Sequence, residues 1–441
     1  MASRFKLEAV YAGKGDALIL HHGTDAKPKW ILIDGGHRRV YERFLRPRLD
    51  QLRIEFASHL TVDGRLPLDL VMLSHADQDH VLGLLDLKRH MEAHLAQDAD
   101  DGGQGVDRSL DAPPVDISAM WINGFDDVTF DIPESRPAAL ENDLVEVAGN
   151  DRGAWMMSCL PEAAKLDDEL VAWIASTGEC RELRQFAAGL GQIPINQQFG
   201  GDLVRRDARG GPNSVKLAGG IQITVLGPDQ ARIDALRSKW QTDLTKILKK
   251  KKSKTSAFSD SSKHNLSSIM VMVERTVNRK RKRMLLTGDG RGDHLIDGLQ
   301  AQGYLDDGVV HVDLFKLPHH GSDRNVKQQT FEKIIADDYV ISANGEHHNP
   351  EIATLEMLVA GREKAGVTSN FNVHFTFPER AFAAITDEQA EKSSAKANQR
   401  EALKVVHDWL EERTARLGTK DPLTPVFREQ DQFSVTVDLV R

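Results

Sequence analysis

Short apolar runs punctuated by glycine dominate the start of the chain. FKLEAVYAG, DALILHHG and WILIDGG read as three strands, with Gly13, Gly15, Gly23 and Gly35–Gly36 at the turns. Residues 40–60 carry a helical pattern. LDLVMLSH is a buried strand that runs straight into a charged loop, SHADQD, and VLGLLDLKRHMEAHL then returns a helical period. A polar loop between a strand and a helix lies at the edge of a sheet, where α/β proteins commonly bind ligands. From about residue 96 to 215 the pattern breaks into loop-like stretches, with a mixed helical region around 137–190, and reads as an insertion or lid. Strand patterns resume with GGIQITVLGP, SSIMVMVE, RMLLTGDG, VDLFKLPHHG and DDYVISAN, in the style of the first part. The organisation expected is therefore a first half over 1–95, an insertion over 96–215, a second half over 216–383, and a C-terminal helix and closing strand over 384–441. The two halves are α/β units packed sheet to sheet. No short fixed repeat is present, and the low-complexity stretch KILKKKKSKTSAFSDSSK reads as a loop.

Composition narrows the setting. The 441 residues suit one large domain with insertions or two ordinary ones, and 40% hydrophobic residues fit a globular protein. No run approaches the roughly 20 apolar residues that cross a bilayer. The N-terminal MASRFKLEAVYAG lacks the apolar core of a secretory signal. Two cysteines, Cys159 and Cys180, do not make a disulfide framework or a zinc knuckle, so a reducing, cytoplasmic setting is expected. A net charge of −9 argues against a general nucleic-acid binder. Contact with a polyanion would have to be local, and the basic stretches Lys249–Lys252 and Arg279–Arg283 are the candidates, although charge runs are more often solvated surface.

The densest chemistry is His75-Ala-Asp77-Gln-Asp79-His80. In an extended strand end, positions two apart face the same way, so His75 and Asp77 converge. Asp79 and His80, where the chain turns into the helix, approach from the other side. Imidazole with carboxylate suits zinc, manganese or iron. Alone, this is also what a polar loop with Asp79 as a helix cap looks like. Three further runs carry the same signature: ILIDGG ends in Asp34, MLLTGDG in Asp289, and FKLPHHGS in His319–His320. Each apolar run stops at a metal-competent residue followed at once by a turn.

The ordered set GKGDA, ILIDGG, SHADQDHVLGL, LLTGDG and LPHHGS resembles the metallo-β-lactamase superfamily. More narrowly, it is similar to the cytoplasmic domain of the ComEC-type competence DNA-uptake proteins. The likeness covers roughly residues 5–90 and 215–360, and departs at Lys14, where that group usually has glutamine. The resemblance implies a four-layer αββα sandwich of the α+β class, here with a largely helical insertion. It also implies a metal site at one edge of the sheets, often dinuclear, with Zn2+ or Mn2+ and two ions per chain as the first reading and a single-metal site as the alternative. Carried over, His75 and Asp77 bind one ion; Asp79, His80 and a histidine of the pair His319/His320 bind the other; Asp289 bridges; and Asp34 orients a ligand from behind. His319 is preferred because it directly follows the strand, and the motif leaves the choice open. Asp77 replaces the second histidine of the superfamily's common motif, which makes the site richer in oxygen. The usual mid-chain histidine has no counterpart in its usual setting; His264 can reach in, or Asn265 and Ser268 contact substrate, as can Ser322. His347, in GEHHNPEIATLEML, falls where the competence-type proteins place a late histidine, and with Asp79 it is a candidate catalytic residue.

The function these features imply is metal-dependent hydrolysis, first of a phosphodiester in DNA or RNA by a metal-bound hydroxide. Hydrolysis of a lactone, ester or β-lactam at the same site is the second reading. A non-catalytic metal-binding module that engages a protein partner through the insertion is the third. A wide basic groove would favour nucleic acid, and a small apolar cleft a lactone.

Overall fold

In the computed structural model two mixed sheets face each other, with helices on both outer sides. The structure describes residues 2–100, 112–124, 168–189, 191–206, 213–238 and 267–440. The first sheet begins with β1 (Lys6–Val10), β2 (Leu18–Thr24) and β3 (Lys27–Ile33), an antiparallel meander, and continues with β4 (Leu66–Leu73), parallel to β3. Helix α1 (Arg46–Glu55) connects β3 to β4, and α2 (Gln78–Asp100) follows β4. The short strands β5 (Val115–Ile117) and β6 (Met120–Ile122) both pair with β4, and helix α3 (Asp168–Ala188) follows them in the chain. The second sheet starts with an antiparallel set, β7 (Ser214–Leu217), β8 (Ile221–Gly227), β9 (Met270–Val277) and β10 (Lys280–Leu286). It turns parallel through β11 (Val310–Lys316), β12 (Ile334–Ile341), β13 (Phe371–Phe375) and β14 (Leu423–Phe427). Its helices are α4 (Gly292–Ala301), α5 (Gln328–Lys333), α6 (Ile352–Lys364), α7 (Asp387–Lys392) and α8 (Ser394–Leu417). The last strand, β15 (Ser434–Asp438), returns to the first sheet and pairs antiparallel with β1.

Alternation along the strands produces three apolar layers. Leu7, Leu18, Leu20, Ile31, Ile33, Leu70 and Met72 of the first sheet meet Ile223, Val225, Val271, Val273, Met284 and Val340 of the second. The opposite side of the first sheet (Trp30, Leu32, Leu73) packs under α1 and α2 through Leu45, Leu49, Leu52, Val81 and Leu85. On the far side of the second sheet, Met272, Leu285, Phe315, Tyr339 and Phe375 lie under the helices, with Leu295, Leu355, Leu403 and Leu410. Each such side chain contributes roughly 1.5–3 kcal/mol when fully buried, so the frame is rigid before any polar residue is counted. This is the expected αββα sandwich.

One expectation changes. Residues 112–124 contribute strands to the first sheet and are not all insertion, because three-residue strands are too short to show a period. The C-terminal stretch has the expected helix and closing strand: α8 covers the second sheet, and β14 and β15 complete one sheet each. Lys249–Lys252, His264 and Asn265 lie outside the described residues. Among the described residues, no helix is long and apolar enough to cross a membrane.

Candidate metal centre

The loop after β4 and the turns after β3, β10 and β11 converge at one edge of the sandwich. Two glycine contacts hold them there. A Cβ on Gly15 would lie 1.7 Å from the carbonyl oxygen of Asp79, and one on Gly83 would lie 1.8 Å from that of Gly35. Only glycine lets the β1–β2 loop and the β3 turn press onto the start of α2 this closely. The fit is locked by hydrogen bonds from Asp16 N to Asp79 O (3.3 Å) and from Gly35 N to His80 O (2.8 Å).

Three buried imidazoles point into the space so formed. The Nδ1 of each ring is engaged from behind, which leaves Nε2 facing inward. His80 Nδ1 lies 2.8 Å from Asp34 Oδ2, and Asp34 in turn accepts from Ser74 N (2.7 Å) and Ser74 Oγ (2.6 Å). His75 Nδ1 is 3.1 Å from Ser74 Oγ, and His320 Nδ1 is 3.1 Å from Ser342 O. His75 Nε2, His80 Nε2, His320 Nε2 and Asp289 Oδ1 are all buried with no hydrogen-bond partner. Four such atoms in a packed interior are costly unless something else binds them.

Asp289 divides the cluster. Its Oδ2 is 3.7 Å from His75 Nε2 and 3.7 Å from His319 Nε2, while its Oδ1 is 3.3 Å from His80 Nε2 and 3.5 Å from His320 Nε2. Asp77 Oδ2 lies 3.4 Å from His75 Nε2, and Asp79 Oδ2 lies 3.7 Å from His320 Nε2. His75, His80 and Asp289 form one set of donor atoms within 4.8 Å of each other, and Asp79, His80 and His320 another. The structure thus puts His320, not the preferred His319, beside Asp79 and His80. The ring of His319 is held by Asn325, whose Oδ1 is 2.6 Å from its Nδ1 and whose Nδ2 donates to Asp289 O.

The electrostatics ask for positive charge. Burial disfavours the charged imidazoles, yet the carboxylates more than reverse it: Asp77 and Asp289 raise His75, and Asp289 and Asp34 raise His80 well above its ordinary value. His320 is pushed up to about 9 by Asp289 and Asp16 against the same burial. Burial would raise Asp289, but the histidines hold it well below the ordinary range. A divalent cation meets the same demand, and nitrogen with oxygen donors suits zinc or manganese. The residues therefore fit a metal.

Two residues of the site went unread in the sequence. Asp16, of GKGDA, is fully buried; its Oδ1 is 3.3 Å from His320 Nδ1 and its Oδ2 is ion-paired with the fully buried Lys316. Asp16 comes from the first sheet and Lys316 from the second, so the pair ties the sheets together directly beneath His320. GKGDA and FKLPHHGS contain both residues, but nothing in their spacing announces that they meet. Asp34, His319, His320, His347 and His348 all have left-handed backbones (φ 48–67°). Each costs about 1–3 kcal/mol, and such costs gather at functional sites.

The remaining candidates lie around the centre. His347 is exposed, within the electrostatic reach of Lys14, Glu346, Asp79 and His319, and its pKa is lowered, by partial desolvation first and by Lys14 next. The loop carrying it is tied to α8 by Gln399 Nε2, which donates to Asn344 O (2.9 Å). His37, half-buried after β3, feels Lys14, Asp79, Glu346 and Arg38. Ser268 is buried with an unpartnered hydroxyl. Ser322 donates to Glu351, which ties the histidine turn to the start of α6. In the basic run 279–283, Arg281 and Arg283 both pair with Glu274 and Lys282 pairs with Asp313, so two carboxylates offset part of its charge.

Residues 26–154 match the family model of the metallo-beta-lactamase superfamily, which supports that superfamily for this chain and the metal-dependent hydrolases it contains. Among curated proteins none matches the chain.

Proposed function

We propose that the chain is a metal-dependent phosphodiesterase acting on DNA or RNA. The observation that carries the metal is the convergence of His75 Nε2, His80 Nε2, His320 Nε2 and Asp289 Oδ1, four buried atoms left unpartnered around one space. We assign His75, Asp77 and Asp289 Oδ2 to one cation, with His319 Nε2 3.7 Å from the same Asp289 oxygen. Asp79, His80, His320 and Asp289 Oδ1 fall to the other. Zinc and manganese both suit this donor set. Cations held there would supply Lewis acidity, bringing the pKa of water toward neutrality and offsetting charge on phosphoryl oxygens.

The chain's own groups do the rest. Asp34 holds His80 by Nδ1 and Ser342 O holds His320 by Nδ1, with the Asp16 carboxylate beside it, which keeps both Nε2 atoms aimed inward. Asp79, whose side chain is partly open to solvent, stands where it can accept a proton from the attacking water. His347, kept toward its neutral form by partial desolvation and by Lys14, offers an N–H to a phosphoryl oxygen. The mouth favours a phosphodiester over a lactone, since Lys14, His37, Arg38 and His347 gather there against Glu346. That lining is polar, with Lys14 and Arg38 set against Glu346 and Asp79, whereas a lactone calls for an apolar cleft.

Metal content of protein purified without chelator, paired with cleavage of single- and double-stranded DNA, RNA and bis-p-nitrophenyl phosphate under added zinc and manganese, tests the reading. Bound metal, with cleavage abolished by Asp79→Ala and His80→Ala, is expected. Metal with no cleavage of any phosphodiester would move lactones and esters to the front. No metal and no activity would leave a binding module.

A further inference from the structure

We propose that Lys14 binds the phosphate next to the scissile one, so that the site recognises a polyphosphodiester strand rather than an isolated phosphodiester. The inference rests on the phosphodiesterase reading above.

The backbone on both sides of Lys14 is pinned. Gly15 lies against the Asp79 carbonyl, its own carbonyl accepts from Ser342 Oγ (2.6 Å), and Gly13 faces Asn344 Nδ2. Lys14 is thereby held one residue from contact with the metal loop, between the ends of β4 and β12. It is half-buried and in no ion pair among the described residues. Its charge bears on His37, after β3 of the first sheet, and on His347, after β12 of the second, so the ammonium stands between the two sheets at the mouth. Lys316 already serves the interior from beneath His320. A second ammonium at the rim is out of place for holding cation ligands and well placed for an anion arriving from solvent.

A small phosphodiester fills only the space around Asp289. In a strand, the neighbouring phosphate projects to the rim, where a lysine is a compact point charge suited to it. Glu346 is the counter-argument, since its carboxylate also faces His37 and His347. If Lys14 merely balances Glu346, neutralising both residues will undo the effect of neutralising one.

The experiment compares wild type with Lys14→Met, Lys14→Gln, Glu346→Gln and Lys14→Met/Glu346→Gln. Each is assayed on DNA and RNA oligonucleotides and on bis-p-nitrophenyl phosphate. Binding of the same strands to chelator-treated full-length protein is followed by fluorescence anisotropy across a salt series. For Lys14→Met we expect the ratio of kcat/KM on the strand to that on bis-p-nitrophenyl phosphate to fall roughly tenfold, mainly through KM. The slope of log affinity against log salt should shrink by about 0.7, the loss of one phosphate contact on a single strand. The DNA and RNA arms show which strand is recognised. An equal loss on both substrates, an unchanged salt slope on both strands, or restoration by Glu346→Gln would overturn the assignment. If wild type hydrolyses nothing, the functional reading fails, and the salt slope still decides Lys14.

Discussion

Two buried clusters of histidine and carboxylate, one within the first sheet and one at the edge shared by both sheets, have opposite electrostatic outcomes. Beneath α1, Glu8 accepts from Arg48 Nε (2.6 Å), Arg48 Nη2 (2.9 Å) and Ser434 Oγ (3.3 Å). His21 sits beside it, with Nε2 2.9 Å from Glu8 Oε1 and Nδ1 accepting from Trp30 Nε1 (3.1 Å). Burial would raise Glu8, yet Arg48 and His21 hold it well below its ordinary value, while burial lowers His21. That cluster carries its own counter-charge and is closed. At the metal centre, Asp16, Asp34, Asp77, Asp79 and Asp289 surround three imidazoles, and the one fully buried ammonium is Lys316. Residue type does not separate the two places. Unmet negative charge does, and it marks the second as a site; a buried ring nitrogen without a hydrogen-bond partner occurs in both, at His21 Nε2 as at His75 Nε2.

Asp289→Ala offers the hardest test of that contrast. It removes the group between the two sets of imidazoles, and the expected outcome is loss of bound metal by elemental analysis together with loss of all hydrolysis. Retention of both ions would break the contrast. Arg48→Met should act in the opposite sense. Leaving Glu8 buried without its guanidinium should cost about 3–5 kcal/mol of stability in urea unfolding, with metal per folded chain unchanged. Adding Glu8→Gln should recover much of the loss. Asp16→Asn sharpens the picture further, because Asp16 acts on the centre from behind, beside His320 and His80. Metal affinity should fall roughly 10–100-fold, read by competition with a chelating dye.

Acid stability separates another buried histidine from both clusters. Burial first, then the charges of Arg275 and Lys29, lower the pKa of His22 to about 3 from an unfolded value of 6.5. Between these pH values the unfolded chain binds a proton that the folded chain refuses. The stability His22 contributes is therefore complete above pH 6.5 and is lost as pH falls toward 3. Urea midpoints of His22→Leu should decline less steeply than wild type across that window. An identical slope would show that other groups set the acid response.

Much of this architecture could be read from the chain. Strands ending in Asp34, His75, Asp289 and His319–His320 are visible because an apolar run that stops at a ligand and a turn is a local pattern. Asp16 and Lys316 were not visible as a pair, because a buried ion pair 300 positions apart leaves no local trace. The choice between His319 and His320 depends on backbone dihedrals, which follow from how the turn packs and not from the order of its residues. Strands β5 and β6, of three residues each, lack the length to show alternation. The partners of the basic run at 279–283 could not be read from the run itself, since Glu274 and Asp313 arrive from neighbouring strands.

The pairing of β1 with β15 has a kinetic consequence. Lys6 opposes Asp438 and Val10 opposes Ser434, so an early strand must wait for a late one. Contacts this distant in sequence form slowly. Until they form, β1 offers an open row of backbone donors and acceptors, carrying Leu7, Ala9 and Val10, to any strand that meets it. The half-assembled chain is thus most prone to aggregate at its β1 edge, and whatever hastens the arrival of β15 should raise the yield on refolding.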